Sequence, residues 1–351
     1  MTEGVFYMTK INVVIVGYGG MGSYHGNTII PAQNDKLTVT GAYDVLPERI
    51  EAAKEAGLET YESFEAVLAD EKVEVVLIAT PNDSHKDLAI AALRAGKHVV
   101  CEKPVTMNVQ ELDEILAVAK ETGKTFMVHQ NRRWDPDFLM VREMYQAKPI
   151  GDIFQIESRV QGANGIPGDW RHLKEHGGGM LLDWGVHLLD QLLWLVDSPI
   201  QSFNVDFSYV LGDPVDDGFF TYITFENGVR AIVEVGTSNY TKLPRWYVKG
   251  MEGTAKIDDW DCQGEMIRAT NAENVSAPKA IQAGVGLTKT MAPPSEEAME
   301  SIPLPEGHAD FVPFYENLYE VIREGKEPIV KNAEVRQVLA LIDEMFAVAG
   351  R

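Results

Sequence analysis

Val14-Ile15-Val16-Gly17-Tyr18-Gly19-Gly20-Met21-Gly22 decides the fold of this chain. The apolar run from Ile11 to Val16 suits a short strand covered on both faces. The glycines then follow the pattern G-x-G-x-x-G, and a helical stretch continues to about Ile30. Gly17 allows a tight turn, Gly19 lets backbone N–H groups approach a pyrophosphate, and Gly22 lets the helix pack on the strand. Gly20 and Met21, inside the same turn, belong to the same binding surface. The turn is a weak signal by itself, but Asp44 ends a second strand at roughly the 20-residue spacing expected of a ribose-binding acid. A carboxylate there accepts hydrogen bonds from both adenosine ribose hydroxyls and repels a 2′-phosphate. Val45 follows rather than an arginine, and Arg49 is the nearest cation, so the reading is NAD, with NADP less favoured. Asp44 also has a plainer reading, as a cap for the helix that begins at Pro47.

Outward from the turn the pattern alternates. Strands are predicted at Leu37 to Tyr43, Glu74 to Ala79, His98 to Cys101 and Thr125 to His129. Helices are predicted from Pro47 to about Ala56, Ser84 to Ala95 and Val109 to Glu121. That alternation predicts an α/β fold, a doubly wound parallel Rossmann sheet over residues 9–130. After Gln130 the texture changes. A helix is expected over Asp135 to Gln146, an alternating strand over Ile153 to Gln161, and a helix over Gly179 to Val196. Strand-like runs from Ser202 to Ile257 are punctuated by turns, with Asn227-Gly228 as a hairpin signal. Asn271 to Pro305 reads as irregular. Two helices close the chain, at about Asp310 to Arg323 and Ala333 to Ala349. Residues 131–351 therefore form a second, α+β domain with a mostly antiparallel sheet, its last helix packing back on the first domain.

Composition narrows the partners. Fifty-three acids against 31 bases give the 351-residue chain a net charge of -22, which disfavours nucleic acid and anionic lipid. No apolar run is long enough to span a membrane. Met1 to Lys10 lacks the marks of a signal peptide and reads as a disordered lead. Two cysteines, Cys101 and Cys262, make no disulfide framework and fit a reducing, cytoplasmic location.

Candidate chemistry sits at strand ends and on one helix. Thr80-Pro81-Asn82 follows the third strand and Glu102-Lys103-Pro104 the fourth, both at the crevice where cofactors bind in open α/β sheets. Asn82 offers an amide to the nicotinamide half, or it belongs to a helix-entry turn. Lys103, taken alone, reads as a surface lysine at a strand end. Asp183 and His187, four residues apart, share one face of an otherwise apolar helix and need a partner or a purpose there. The run Gly177-Gly178-Gly179 leaves room for a ligand against the backbone. His172 and His176 with Asp183 and His187 have zinc-like spacing, but the two histidines fall in a loop without a thiolate, and no metal is assigned. Trp170-Arg171 offers an aromatic face and a fork donor suited to a polyol, and Asn131-Arg132 sits at the domain junction.

Together these residues resemble the glucose–fructose oxidoreductase / inositol dehydrogenase (Gfo/Idh/MocA) family over nearly the whole chain. The matching features are the glycine turn with Asp44, Thr80-Pro81-Asn82-x-x-His85, Glu102-Lys103-Pro104, Asn131-Arg132-Arg133 and Gly179-x-x-x-Asp183-x-x-x-His187. The resemblance implies NAD(P)-dependent oxidation of a ring hydroxyl on a sugar, glycoside or cyclitol. It places Lys103, Asp183 and His187 in the catalytic set, with His187 as base and Lys103 as alkoxide stabiliser. Thr80, Pro81, Asn82, His85, Glu102, Lys103 and Asn131 join the cofactor contacts, and Arg132, Trp170, Arg171, Asp183 and His187 the substrate contacts. It also implies that residues 131–351 are a substrate-binding and oligomerisation domain with an open, mostly antiparallel sheet, through which a dimer or tetramer forms. Two alternatives stay open: a hydrolase or lyase that oxidises its substrate transiently with tightly bound NAD, and a non-catalytic NAD-dependent sensor.

Overall fold

The computed structural model describes residues 10–33, 35–270, 279–308 and 312–350. The expected lead before Lys10, the first part of the expected irregular stretch and the start of the helix expected from Asp310 lie outside the described residues.

Strands β1 (Ile11–Val16), β2 (Leu37–Tyr43), β3 (Glu59–Thr60), β4 (Val75–Ile78), β5 (His98–Cys101) and β6 (Phe126–Val128) form one parallel sheet in the order β3-β2-β1-β4-β5-β6. Helices α1 (Gly20–Tyr24), α2 (Pro47–Glu55), α3 (Phe64–Ala69), α4 (His85–Arg94) and α5 (Val109–Thr122) connect them. The strand order reverses between β1 and β4, so their carboxyl ends frame a crevice where ligands bind in such sheets. Every residue of β4 is buried, as a strand covered on both faces requires. β3 and α3 are absent from the sequence reading, because elements this short carry no periodicity. Ser63 caps α3 by accepting the Ala66 N–H at 3.1 Å.

The second half begins with α6 (Pro136–Ala147), β7 (Ile153–Gln161) and α7 (Val186–Leu195), followed by β8 (Ile200–Ser208), β9 (Gly218–Phe225), β10 (Arg230–Gly236), β11 (Trp246–Gly250), β12 (Gly253–Ile257) and β13 (Gly264–Ala269). A hairpin of β14 (Ile281–Ala283) and β15 (Gly286–Thr288) precedes β16 (Met299–Ile302), and α8 (Val312–Glu324) and α9 (Asn332–Val348) close the chain. Eight strands form a second sheet, ordered β16-β13-β12-β11-β7-β10-β9-β8. Its neighbours run antiparallel except β7 and β10, which are parallel. Asn227-Gly228 makes the expected turn between β9 and β10, with Gly228 at φ +86. Inward residues such as Ile156, Val233, Trp246 and Val248 pack with Phe138, Leu188, Leu189 and Ile342 from the helices. The outward face carries exposed Phe220 and an Arg159–Glu234 ion pair at 3.1 Å.

Two expectations need correction. The stretch expected to be irregular supplies the hairpin and the edge strand β16, a short, acidic segment whose partner β13 is visible only in three dimensions. The single helix expected over Gly179–Val196 is a π-helical turn, Leu181–Gly185, leading into α7. A second π-helical turn, His25–Ile29, follows α1. Such wide turns re-aim side chains and recur at functional sites.

The closing helices return to both cores. Phe314, Tyr315, Leu318 and Tyr319 of α8 pack with the parallel sheet, and α9 divides its apolar residues between the two cores. Arg336 pairs with Asp113 of α5 at 2.7 Å, and Asp343 accepts the Val109 N–H at 2.9 Å. Among the described residues, no helix is long and apolar enough to cross a membrane.

Candidate active site

The glycine turn is built by close approach. Gly17 sits at φ +91, and a Cβ there would lie 2.7 Å from the Ala79 carbonyl oxygen. A Cβ on Gly22 would lie 1.9 Å from the Gly17 oxygen, so only glycine lets the helix pack here. Gly19 and Gly20 have open space around them, which leaves their backbone accessible to a phosphate; Met21 stands beside them, half-buried. Asp44 is anchored next to this opening: Tyr18 N–H donates to its Oδ2 at 2.7 Å and Leu46 N–H to its Oδ1 at 2.9 Å. The N-cap of α2 is Leu46, not Asp44. Carboxylate lone pairs remain beyond these two bonds, and the turn, the open backbone and the adjacent acid fit a dinucleotide.

Several expected cofactor contacts prove to be inward-facing. The Asn82 amide donates to the Gly177 carbonyl at 3.1 Å, joining the two domains. Thr80 Oγ1 lies 2.6 Å from Ser84 Oγ, and Pro81 caps the short turn that follows. His85 is fully buried, its ring nitrogens 3.1 Å and 2.9 Å from the Pro104 and Thr80 carbonyls. It ties the two crevice loops together, and burial pushes its pKa down. Glu102 is also buried: its Oε1 accepts from His25 Nε2 at 2.7 Å and from His129 Nδ1 at 2.9 Å, and its Oε2 from the Lys103 N–H at 3.1 Å. Burial would raise its pKa, yet His129 and His25 outweigh that and hold it well below the usual carboxylate range. The ligand atoms of His25, Glu102 and His129 lie within 4.8 Å of one another, but hydrogen bonds already account for their close contacts.

Lys103 reaches across the domain boundary. Its Nζ donates to the Asp183 carbonyl at 3.2 Å and lies 3.5 Å from Asp183 Oδ1. Arg171 Nε approaches Asp183 Oδ2 at 3.1 Å, so this carboxylate bridges two cations. His187, one turn on, is 3 % exposed, and its Nδ1 is buried without a hydrogen-bond partner. Burial, then the charges of Lys103 and Arg132, push its pKa well below the ordinary value, which keeps the ring neutral. The glycine run does not leave ligand space as expected. A Cβ on Gly178 would lie 2.2 Å from the Arg171 oxygen, and one on Gly179 would lie 2.3 Å from Asp216 Oδ1. The run admits the chain's own backbone, which delivers Arg171 to Asp183. Trp170 lies under the Arg171 guanidinium at 4.5 Å. His172 and His176 pair instead with Asp213 at 2.9 Å and Asp83 at 3.0 Å, away from a zinc-like arrangement with Asp183 and His187.

Beside Asp183 opens a cavity of about 460 Å³, lined by Arg132, Asn164, Asp183, Trp184 and Trp260 among others. Arg132 stacks between Trp184 at 4.3 Å and Trp260 at 5.3 Å and pairs with Asp135 at 2.9 Å. The Asn131 Oδ1 is buried without a partner. Trp184, Trp260, His25 and His129 were not singled out from sequence. His25 left no distinct trace there, because Ser23, Asn27 and Thr28 make the same stretch polar.

A family model described as the oxidoreductase family with a NAD-binding Rossmann fold matches residues 11–130, and the GFO/IDH/MocA C-terminal domain matches residues 138–256. The chain belongs to the Gfo/Idh/MocA family of oxidoreductases. It is similar to the crystal structure of an NAD-binding protein from Listeria innocua, with 61% identity, a TM-score of 0.93, and coverage of 98% of this chain and 99% of that one. Two Bacillus subtilis relatives are inositol dehydrogenases. The scyllo-inositol 2-dehydrogenase (NADP(+)) is 29% identical over 98% of this chain and 95% of its own. The scyllo-inositol 2-dehydrogenase (NAD(+)) is 30% identical over 71% of this chain and 74% of its own.

Proposed function

We propose that this oxidoreductase is an NAD-dependent dehydrogenase that oxidises a ring hydroxyl of a sugar, glycoside or cyclitol. The carrying observation is the meeting of Lys103, from the end of a parallel strand, with Asp183 and His187, from the first turns of a helix in the other domain. The inositol dehydrogenase relatives support the substrate class. When bound, the nicotinamide supplies the two-electron acceptor for hydride from the substrate carbon.

The chain's own residues handle the proton and the charge. His187, kept neutral, accepts the hydroxyl proton at a ring nitrogen. Lys103 donates a hydrogen bond to the same oxygen and stabilises the developing alkoxide, an effect strong in a water-poor site. Asp183, held between Lys103 and Arg171, accepts from a neighbouring hydroxyl and sets which ring position faces His187. Arg132, stacked on Trp184, borders the cavity that takes the rest of the ring. Asp44 favours NAD, because a 2′-phosphate would meet a fixed carboxylate. The inward-facing set of Asn82, His85 and Glu102 serves the cofactor by fixing the crevice loops. The uncovered outward face of the eight-stranded sheet is the surface for a homo-oligomer.

The test is a panel of cyclitols, aldoses and glycosides with NAD and NADP, read at the NADH absorbance band. Net reduction with at least one ring polyol is expected. Binding of NAD without reduction by any of them would overturn the reading, and turnover without net NADH would replace it by transient oxidation.

A further inference from the structure

Glu102 touches neither the cavity nor the open side of the glycine turn, yet it gathers four segments of the chain. His25 comes from the π-helical turn after α1, Glu102 and Lys103 from the end of β5, His129 from the end of β6, and Tyr315 from α8. Tyr315 Oη lies 2.6 Å from His25 Nδ1. With His25 neutral, its Nε2–H donates to Glu102 and its Nδ1 accepts the tyrosine hydrogen. Burial, then His129, push the His25 pKa down, and burial holds the Tyr315 hydroxyl protonated, so both keep these roles. Every hydrogen at the Glu102 carboxylate is accounted for, and His25, His129 and Tyr315 are themselves buried, which leaves the group little room to move.

Lys103 hangs from this group. Its backbone N–H donates to Glu102 Oε2, while its ammonium, four methylenes away, meets Asp183. A lysine side chain has several rotatable bonds, so its tip is only as well placed as its backbone is fixed. We propose that Glu102 is a positioning residue. Gripped by His25, His129 and, through His25, by Tyr315, it fixes the strand-end backbone that aims the Lys103 ammonium at Asp183 and the reacting oxygen. The consequence for turnover rests on the dehydrogenase reading above; the consequence for Lys103 itself does not.

The substitution Glu102→Gln keeps the shape, removes the charge and turns amide hydrogens towards N–H groups. In the full-length protein, acylation of Lys103 by a soluble activated ester, followed by peptide mass spectrometry, should become severalfold faster. Lys97, buried and bonded to the Asp70 and Val73 carbonyls, is the internal control and should keep its wild-type rate. The kcat should fall about tenfold or more, the scale of loss from a small misplacement. Tyr315→Phe should move Lys103 labelling in the same direction by less, and it carries the test if Glu102→Gln fails to fold. A wild-type Lys103 rate in the folded variant overturns the inference, as does a parallel rise at Lys97, which would signal general loosening. Because labelling needs no turnover, wild-type protein inactive on every polyol would overturn the dehydrogenase reading alone.

Discussion

At the scale of single residues, electrostatics decide what His187 can do. The working form of a general base is the unprotonated one, so activity is lost as pH falls through its pKa in the folded protein. Burial and two neighbouring cations place that pKa well below the ordinary value, which is about 6.5. kcat/KM should therefore stay flat through the mildly acid range and fall only below it; an acid limb centred at or above the ordinary histidine value would contradict the assignment. His187→Ala should lower kcat by about a hundred- to ten-thousand-fold, the usual worth of a positioned base, while NAD affinity by calorimetry stays near wild type. Asp44 carries a different prediction. Asp44→Ser removes the carboxylate beside Tyr18 N–H and should shift the ratio of kcat/KM values towards NADP, measured with the same polyol; an unchanged ratio would remove Asp44 from cofactor selection. These residues stand out in the sequence because their types and spacing are peculiar. Their contacts do not. Nothing in the local sequence around Asn82 or Glu102 says that Gly177 or His129 will be the partner, since those partners lie on other strands or in the other domain.

At the scale of elements, a glycine positions the turn and helix that carry Asp183 and His187. Gly179 sits at φ +104 with the Asp216 carboxylate where a Cβ would go, and that carboxylate accepts the Leu181 N–H at 2.8 Å. Gly179→Ala should cost about 1–3 kcal/mol in stability, the range for a residue forced into such backbone, seen as a lower Tm. It should also lower kcat more than NAD affinity, because the turn that moves carries Asp183. The parallel strands were readable for a physical reason: strands buried on both faces are continuous apolar runs. The π-helical turns were not, because they share the apolar spacing of an ordinary helix over so few residues. β16 escaped notice because an edge strand needs only one partner and keeps a polar composition.

At the scale of the whole molecule, the domains are locked by buried charge. Arg133, almost fully buried, makes a bidentate pair with Asp190 at 2.7 Å and reaches Glu334 of α9 at 2.6 Å. Arg133→Ala would leave Asp190 buried and unpaired, a loss of about 3–5 kcal/mol, and a denaturant midpoint equal to wild type would refute it. The Arg-Arg pair at the domain junction was visible in sequence, but which arginine holds the structure and which borders the cavity depends on the crossing of α7 and α9. Light scattering on the purified protein should give a dimer or tetramer; a monomer would leave the outward sheet face unexplained.

The return of α8 has a consequence for biosynthesis. Phe314, Tyr315, Leu318 and Tyr319 complete the core around the first sheet, so that sheet, made well before α8, cannot close its interior until α8 has emerged from the ribosome. The nascent chain must hold an unfinished apolar surface while the second sheet is being made, and it should depend on chaperones more than a domain that folds as it is made.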